Sequence, residues 1–285
     1  MTSPRLLRVL ALLPIAFQLA ACGEDAPERT VLKAPQDESW SYPRFSPDGA
    51  RVFFTSSPLA PGEPSRMRSV NADGTGLQRE NAPHSPVWSA DGTRFIFARE
   101  GHLYSSPVEG GGPAVLEAEG LGLPHYVDLD VSRDGRWLVF GVHGTSFQGE
   151  RPGLNLFDWT TREVRLLKER GASPVLSPDG ERVAYLHRVS DAGPYELRVL
   201  TLTTGEDLGV SLAANDRRPM DWMPDGRLVA LTKDGITFFD LSGAAPRATR
   251  VINESAPRDL DVSRDGRKMV YGIAGEDDLY VLTGF

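Results

Sequence analysis

Residues 42–55 have the sequence Tyr42-Pro43-Arg44-Phe45-Ser46-Pro47-Asp48-Gly49-Ala50-Arg51-Val52-Phe53-Phe54-Thr55, in which an Asp-Gly pair separates two strand-like runs. This arrangement predicts a β-hairpin, because glycine tolerates positive φ and aspartate hydrogen-bonds to the backbone of its own turn. Pro47 has the fixed φ that suits the first central turn position. The second run is apolar along most of its length, which predicts a strand covered on both faces.

This turn-and-strand unit occurs six times along the chain. The copies carry Asp48-Gly49, Asp91-Gly92, Asp134-Gly135, Asp179-Gly180, Asp225-Gly226 and Asp265-Gly266, at intervals of 40 to 46 residues. Such a period is typical of one four-stranded propeller blade. No stretch has a sustained 3.6-residue apolar period, so we expect almost no helix. The predicted fold class is all-β, a six-bladed β-propeller with four antiparallel strands per blade.

The repeats divide the chain into blades and leave one strand missing from the last. The predicted propeller spans residues 30–285, with blades at approximately 39–81, 82–124, 125–169, 170–214, 215–255 and 256–285 plus 30–35. The final repeat has only three strand-like runs, and a missing fourth strand would leave a sheet edge exposed. Thr30-Val31-Leu32-Lys33 has strand character. We therefore predict that this N-terminal strand completes and closes the last blade.

The first 21 residues have the pattern of a secretory signal peptide. Arg5 and Arg8 precede the apolar run 9–17, which is too short for the roughly 20 residues of a membrane-spanning helix. Leu19-Ala20-Ala21-Cys22 resembles the bacterial lipobox, which implies lipidation of Cys22 after cleavage. The alternative is an ordinary signal peptide with an incidental cysteine. Residues 22–29 are predicted to form a polar tether, and no cofactor other than the covalent lipid is expected.

Net charge and cysteine content limit the kinds of partner and of covalent cross-link that we expect for this chain. The formal net charge is −8, and loss of Arg5 and Arg8 makes the mature chain more acidic, which disfavours nucleic-acid binding. Cys22 is the single cysteine, so no disulfide within the chain can form. We expect a monomer held in the cell envelope. By analogy with lipoprotein sorting, Gly23 after the cysteine favours the outer membrane, facing the periplasm or the cell surface.

The Ser-Pro-Asp-Gly turns, the apolar strands and Asn71-Ala72-Asp73-Gly74-Thr75 resemble the WD40-like repeats of TolB-like propellers, over about residues 30–285. The resemblance implies a periplasmic protein that binds an envelope protein or peptide. This chain differs in lacking an α/β domain before the repeats and in having a lipobox. Similar repeats also precede the catalytic domain of prolyl-oligopeptidase-type peptidases, but the Gly-x-Ser-x-Gly motif of that domain is absent.

Motifs for catalysis and metal binding are absent from the sequence. The five histidines are isolated, and no paired-cysteine or phosphate-loop pattern occurs. The turn aspartates fit structural caps better than a calcium site. We therefore expect a binding scaffold and no enzymatic activity. The alternative is a propeller enzyme, such as a metal-dependent lactonase or hydrolase, that uses residues of the central channel.

Candidate partner-binding residues cluster where the chain enters the innermost strands, at one mouth of the channel. They are Trp40, Tyr42, His84, His125, Tyr126, Asp216, Arg217, Arg218 and Arg258. The long loops at 56–66, 142–153 and 189–195 lie at the same mouth, and loops on a rigid scaffold often carry function. Aromatic residues with arginine are typical of interface anchors. A solvated loop rim, which every propeller has, is the alternative.

Overall fold

The computed structural model describes residues 27–80, 85–108, 112–123, 128–142, 153–188, 190, 194–213 and 219–285. Within these ranges every regular element is a β-strand, and the strands form six four-stranded antiparallel sheets. The predicted fold class, a six-bladed β-propeller, is confirmed. In the same ranges, no helix of the length and hydrophobicity needed to cross a membrane is found.

The blades follow one another along the chain, and each begins with its innermost strand. Blade 1 contains β2 (Glu38–Phe45), β3 (Arg51–Pro58), β4 (Arg66–Asn71) and β5 (Gln78–Arg79). Blade 2 contains β6 (Val87–Trp88), β7 (Arg94–Arg99), β8 (Gly101–Pro107) and β9 (Val115–Leu123). Blade 3 contains β10 (Asp128–Val131), β11 (Trp137–Val142), β12 (Gly153–Asp158) and β13 (Val164–Lys168).

The second half of the ring has the same organisation. Blade 4 contains β14 (Gly171–Leu176), β15 (Arg182–Arg188), β16 (Tyr195–Thr201) and β17 (Asp207–Leu212). Blade 5 contains β18 (Met220–Trp222), β19 (Leu228–Thr232), β20 (Gly235–Asp240) and β21 (Arg247–Ile252). Blade 6 contains β22 (Pro257–Val262), β23 (Lys268–Ile273), β24 (Leu279–Thr283) and, from the N-terminal side, β1 (Glu28–Leu32).

The N-terminal strand closes the ring as predicted. β1 pairs antiparallel with β24, from Glu28 opposite Thr283 to Leu32 opposite Leu279. It begins two residues before the predicted propeller boundary, within the segment assigned to the tether. Leu32 is fully buried in a cluster that joins blade 6 to blade 1. Side chains reinforce the closure, since Asp278 accepts hydrogen bonds from the Ala34 amide at 2.9 Å and from Lys33 Nζ at 2.5 Å.

Neighbouring blades cover both faces of the second strands. In β11, for example, Leu138, Val139 and Phe140 are all 0 % exposed, although consecutive residues of a strand point to opposite faces. This burial explains why these strands are continuously apolar in the sequence rather than alternating. The hydrophobic core is accordingly a set of layers between blades.

The Asp-Gly turns are held by their own side chains. Ser46 Oγ donates to Asp48 Oδ1 at 2.5 Å, and the Arg51 amide donates to Ser46 Oγ at 3.0 Å. The hydrogen bond from Ser46 lowers the pKa of Asp48. The serine hydroxyl makes the same contacts in blades 2, 3, 4 and 6, whereas blade 5 has methionine at the serine position. The turn aspartates are therefore structural caps, and we call the mouth that they surround the turn face.

Candidate binding site in the central channel

One position of the repeat, four residues before the turn aspartate, lies on the innermost strands around the central channel. From blade 1 to blade 6 it holds Arg44, Val87, Asp130, Val175, Asp221 and Asp261, which we call the channel ring. All except Val175 line a cavity with an empty volume of about 770 Å³, which includes space open to solvent. The cavity lies at the turn face, because turn residues Pro47 and Pro178 are also in its wall.

The three aspartates of the channel ring connect blades. Asp130 Oδ2 accepts a hydrogen bond from the Leu176 amide of blade 4, and Asp261 Oδ2 accepts one from the Phe45 amide of blade 1, both at 2.8 Å. Asp221 Oδ2 makes the equivalent bond with the Val262 amide of blade 6, also at 2.8 Å. In each case the carboxylate of one innermost strand binds the backbone of the next blade.

Burial makes these carboxyl groups hold protons more tightly than usual. It raises the pKa of Asp130 to about 7 and that of Asp221 to about 6, against the opposing charge of Arg44. Burial, followed by the negative charge of Asp221, raises the pKa of Asp261 well above its ordinary value. All three side chains line the cavity; Asp261 is 7 % exposed, and Asp130 and Asp221 are half-buried. The three groups together therefore carry less than three negative charges near neutral pH.

Two arginines lie above this ring at the mouth of the cavity. Arg133 and Arg264 each precede the turn aspartate of their blade, and both line the cavity. Arg133 Nη2 donates to the Arg264 carbonyl oxygen at 3.5 Å, and Arg264 Nη1 donates to the Ala90 carbonyl oxygen at 3.2 Å. Burial and the positive charge of Arg133 lower the pKa of Arg264. Positive groups from blades 3 and 6 thus meet at the turn face.

A second cavity lies between blades 1 and 2 and extends to Asp128 of blade 3; its empty volume of about 520 Å³ includes space open to solvent. Its wall includes the aromatic residues Phe53, Trp88 and Phe95, with ring centroids of Trp88 and Phe95 4.7 Å apart. Arg44 belongs to both cavities, and its Nη2 donates to the Leu129 carbonyl oxygen of blade 3 at 3.5 Å. This cavity therefore adjoins the channel without adding a new charged cluster.

The structure places three of the residues predicted to bind a partner. Trp40 is 1 % exposed, with its ring centroid 4.1 Å from that of Phe54, so its side chain belongs to the core between blades 6 and 1. Arg258 Nη2 donates to the carbonyl oxygens of Trp40 at 3.3 Å and Glu276 at 2.9 Å. Tyr42 is 38 % exposed and lines the second cavity. Trp40 and Arg258 are thus brought together at an inter-blade seam, not on an open rim.

The remaining predicted site residues lie outside the described residues. These are Cys22, His84, His125, Tyr126, Asp216, Arg217 and Arg218. Of the three long loops, only the one at 56–66 is described in full, and Leu59 within it is 55 % exposed. The loop mouth therefore stays a prediction, and the cavity described above lies at the opposite mouth.

The channel ring and the two mouth arginines are not among the residues predicted from the sequence, although the repeat contains a signal for them. Blades 3 and 6 carry the same six residues, Asp-Val-Ser-Arg-Asp-Gly, at 130–135 and 261–266. An aspartate on a strand where other copies have valine is a polar residue at an otherwise apolar position, and such residues indicate function or a specific bond.

In the described part of the chain, no group of three or more His, Cys, Asp or Glu side chains is arranged to hold a metal ion.

Comparisons with known proteins show which solved structures have a fold similar to that of this chain. No family model and no curated protein sequence matches the chain. Among solved structures, it is similar to TolB from Acinetobacter baumannii, with a TM-score of 0.55, 17 % identity, and coverage of 86 % of this chain and 54 % of that chain. The chain thus spans about half the length of that TolB. The fold is a TolB-like six-bladed β-propeller.

Structures with other names have the same fold. The chain is similar to Kuenenia stuttgartiensis hydrazine synthase, with a TM-score of 0.59, 15 % identity, and coverage of 88 % of this chain and 97 % of that chain. It is also similar to oligogalacturonate lyase in complex with manganese, with a TM-score of 0.55, 19 % identity, and coverage of 89 % and 77 %. Identities this low describe the fold alone, because one fold hosts many functions.

Proposed function

We propose that this protein is a lipid-anchored binding module of the bacterial cell envelope, which holds a protein or peptide ligand at the turn face of its propeller. The observation that carries the proposal is the cavity at that face, where a rigid ring presents arginines above partly buried carboxyl groups. Binding sites are typically concave, with a few polar groups at fixed positions. The fold shared with TolB supports a binding role, and the lipobox supports the envelope location.

The anchor is the first testable part of this proposal. Replacing the lipid-accepting thiol in Cys22→Ser is expected to move the protein from the membrane fraction to the soluble fraction, because stable anchoring depends on the acyl chains. The measurement is fractionation of cells that produce each form, followed by immunoblotting. Retention of the serine variant in membranes, or a wild-type protein without lipid by mass spectrometry, would contradict the anchor.

The binding face can be tested by photo-crosslinking in intact cells. A benzophenone amino acid is placed at Arg267 in a turn of the turn face, at Leu59 on the loop face, or at Leu166 on outer strand β13, all of which are exposed. We expect a discrete covalent adduct only from position 267. An adduct only from position 59 would move the site to the loop mouth, and no adduct from any position would count against a protein ligand.

An enzyme that uses channel residues is the second candidate function. Carboxyl groups with raised pKa values beside a cavity are common in active sites, and Asp130 could donate or accept a proton near pH 7. The likeness to oligogalacturonate lyase concerns the fold alone. We favour binding, because Asp130, Asp221 and Asp261 each hold the backbone of a neighbouring blade, a role that the ring itself requires.

A further inference from the structure

The residue before each turn aspartate varies between blades in a way that the turn does not explain. Blades 1, 4 and 5 have proline there, blade 2 has alanine, and blades 3 and 6 have Arg133 and Arg264. The turns of blades 3 and 6 use the same serine-to-aspartate hydrogen bond as the turn of blade 1. Because the turn forms equally with proline, arginine at this position points to a role outside the turn itself.

Ring geometry brings the two arginines together. Blades 3 and 6 are three positions apart in a ring of six, so they face each other across the channel mouth. Arg133 reaches the carbonyl oxygen of Arg264 itself, and Arg264 reaches Ala90 of blade 2. Both residues are exposed and line the cavity. Two guanidinium groups are thus available to one ligand at the place where it would enter.

Within the described ranges, the two arginines interact with carboxyl groups only over a longer range than a salt bridge. Burial lowers the pKa of Arg264, and the charge of Asp130 opposes that shift. Burial raises the pKa of Asp221, and the charge of Arg133 is among those that oppose it. Among the described residues, neither Arg133 nor Arg264 has a carboxylate oxygen within 4.0 Å, and their side-chain hydrogen bonds go to backbone carbonyls. The turn aspartates beside them, Asp134 and Asp265, are engaged by serine hydroxyls and backbone amides. Mutual repulsion between the two guanidinium groups would be relieved by an anion, which arginine binds through parallel N–H donors.

The floor of the cavity selects the kind of anion. Asp130, Asp221 and Asp261 lie below the arginines, so a second negative charge on a ligand would be repelled. A carboxylate has one charge, whereas inorganic phosphate carries between one and two near neutral pH. Trp88 in the cavity wall is half-buried and offers apolar surface to the atoms that bear the carboxylate. These features favour a monoanion attached to an organic group.

We propose that Arg133 and Arg264 form a carboxylate-binding site at the turn face, which receives the carboxyl group of a peptide ligand. The inference deepens the proposed function and rests on it. The carboxylate lies between the two guanidinium groups, and the adjoining part of the ligand contacts Trp88. A chain terminus and an acidic side chain present the same group, so both can satisfy the site.

The test uses the full-length protein in detergent and three probes: acetyl-tetraalanine with a free carboxyl terminus, the same peptide as its amide, and inorganic phosphate. Binding is measured by calorimetry and by the fluorescence of the tryptophans. We expect saturable binding of the acid form, no binding of the amide, and weaker binding of phosphate. Arg133→Gln and Arg264→Gln should each weaken binding of the acid by at least about tenfold, which corresponds to about 1.4 kcal/mol.

Arg247→Gln is the matched control, because Arg247 lies on outer strand β21 with its side chain 77 % exposed. This variant should bind the acid form as wild type does, and all three variants should melt within a degree or so of wild type. Two acetyl-dipeptide probes then compare binding of a chain terminus with binding of an acidic side chain. One probe ends in a free carboxyl group, and the other has a glutamate and an amidated end.

Several results would overturn the carboxylate site: no saturable binding of the acid, equal binding of the amide, tighter binding of phosphate, or unchanged binding in the glutamine variants. Failure of this inference is distinguishable from failure of the proposed function. If the crosslink from position 267 persists while the glutamine variants bind as wild type, the turn face binds a partner by other groups. If position 267 gives no crosslink while the peptide acid binds, the site exists without the proposed protein ligand.

Discussion

Deletion of residues 28–34 is expected to lower the free energy of unfolding by more than about 5 kcal/mol. The deletion removes the whole β1–β24 ladder and the fully buried side chain of Leu32. It also leaves an open sheet edge on blade 6, a site at which other chains can pair. The measurement is urea-induced unfolding followed by tryptophan fluorescence, together with the fraction of protein that remains monomeric.

Two point variants in the same strand separate the contribution of side-chain packing to stability from that of the strand's backbone pairing. Leu32→Ala should cost about 2 to 5 kcal/mol, because it creates a cavity between blades 6 and 1. Val31→Ala, one residue earlier, should cost much less, because Val31 is 40 % exposed. A deletion variant as stable as wild type would show that the ring closes without β1, and equal effects of the two alanine variants would contradict the buried seam.

The stability of the propeller is expected to fall as the pH rises from about 4 to about 7. In this range Asp130, with a pKa of about 7 in the fold, keeps a proton that the unfolded chain, with an aspartate pKa of about 3.9, has lost. The folded state then binds more protons, so the free energy of unfolding decreases with pH. The loss has an upper bound of about 4 kcal/mol for this group, since one pKa unit equals about 1.4 kcal/mol and cavity water screens the charge.

Asp130→Asn tests this prediction directly. The amide cannot ionise, and its oxygen can still accept the hydrogen bond from Leu176, so the variant should be more stable than wild type at pH 8 and have a flatter pH profile. Asp134→Asn, in the same blade, is the control. The hydrogen bond from Ser132 lowers the pKa of Asp134, so its charge stabilises the fold at neutral pH and that contribution disappears in acid. This variant should keep the downward slope, and an unchanged slope in Asp130→Asn would contradict the prediction.

The architecture was predictable because its signal is local and repeated. Five of the six Asp-Gly turns are stabilised by a serine two residues earlier, and each following strand is apolar because neighbouring blades cover it. Ring closure by residues 30–33 followed from the missing fourth strand in the last repeat. These conclusions required no knowledge of which side chains meet across the channel.

The channel site was not predictable to the same degree, because irregularities in the innermost strands change which side chains face inward. Registers shift between Ser41 and Arg44 in β2 and between Arg258 and Leu260 in β22, with left-handed backbone at Tyr42 and Asp259. Simple alternation along a strand fails at such bulges. The correct inward position emerges only from comparison of all six blades.

Trp40 illustrates why residue type alone does not show where a side chain lies. An aromatic residue beside arginine is typical of an interface anchor, but its large apolar surface is equally suited to a seam between blades. The structure places the indole against Phe54, with Nε1 donating to Glu38. Burial of the large ring removes more apolar surface from water than a position on the rim would. The sequence does not distinguish a seam between blades from an exposed interface.

The pairing of β1 with β24 also bears on the order of events during folding. These strands are separated by almost the whole propeller sequence, with Arg29 opposite Leu282. Whether the chain emerges from a ribosome or from an export channel, the first strand of the pair appears long before the second. Blades 1 to 5 can therefore form while the last sheet still lacks its outer member. Entropy penalises this long-range encounter only weakly, because the cost of joining distant segments grows with the logarithm of their separation. Until the earliest strand docks onto the latest, the edge of β24 stays open and can capture another molecule.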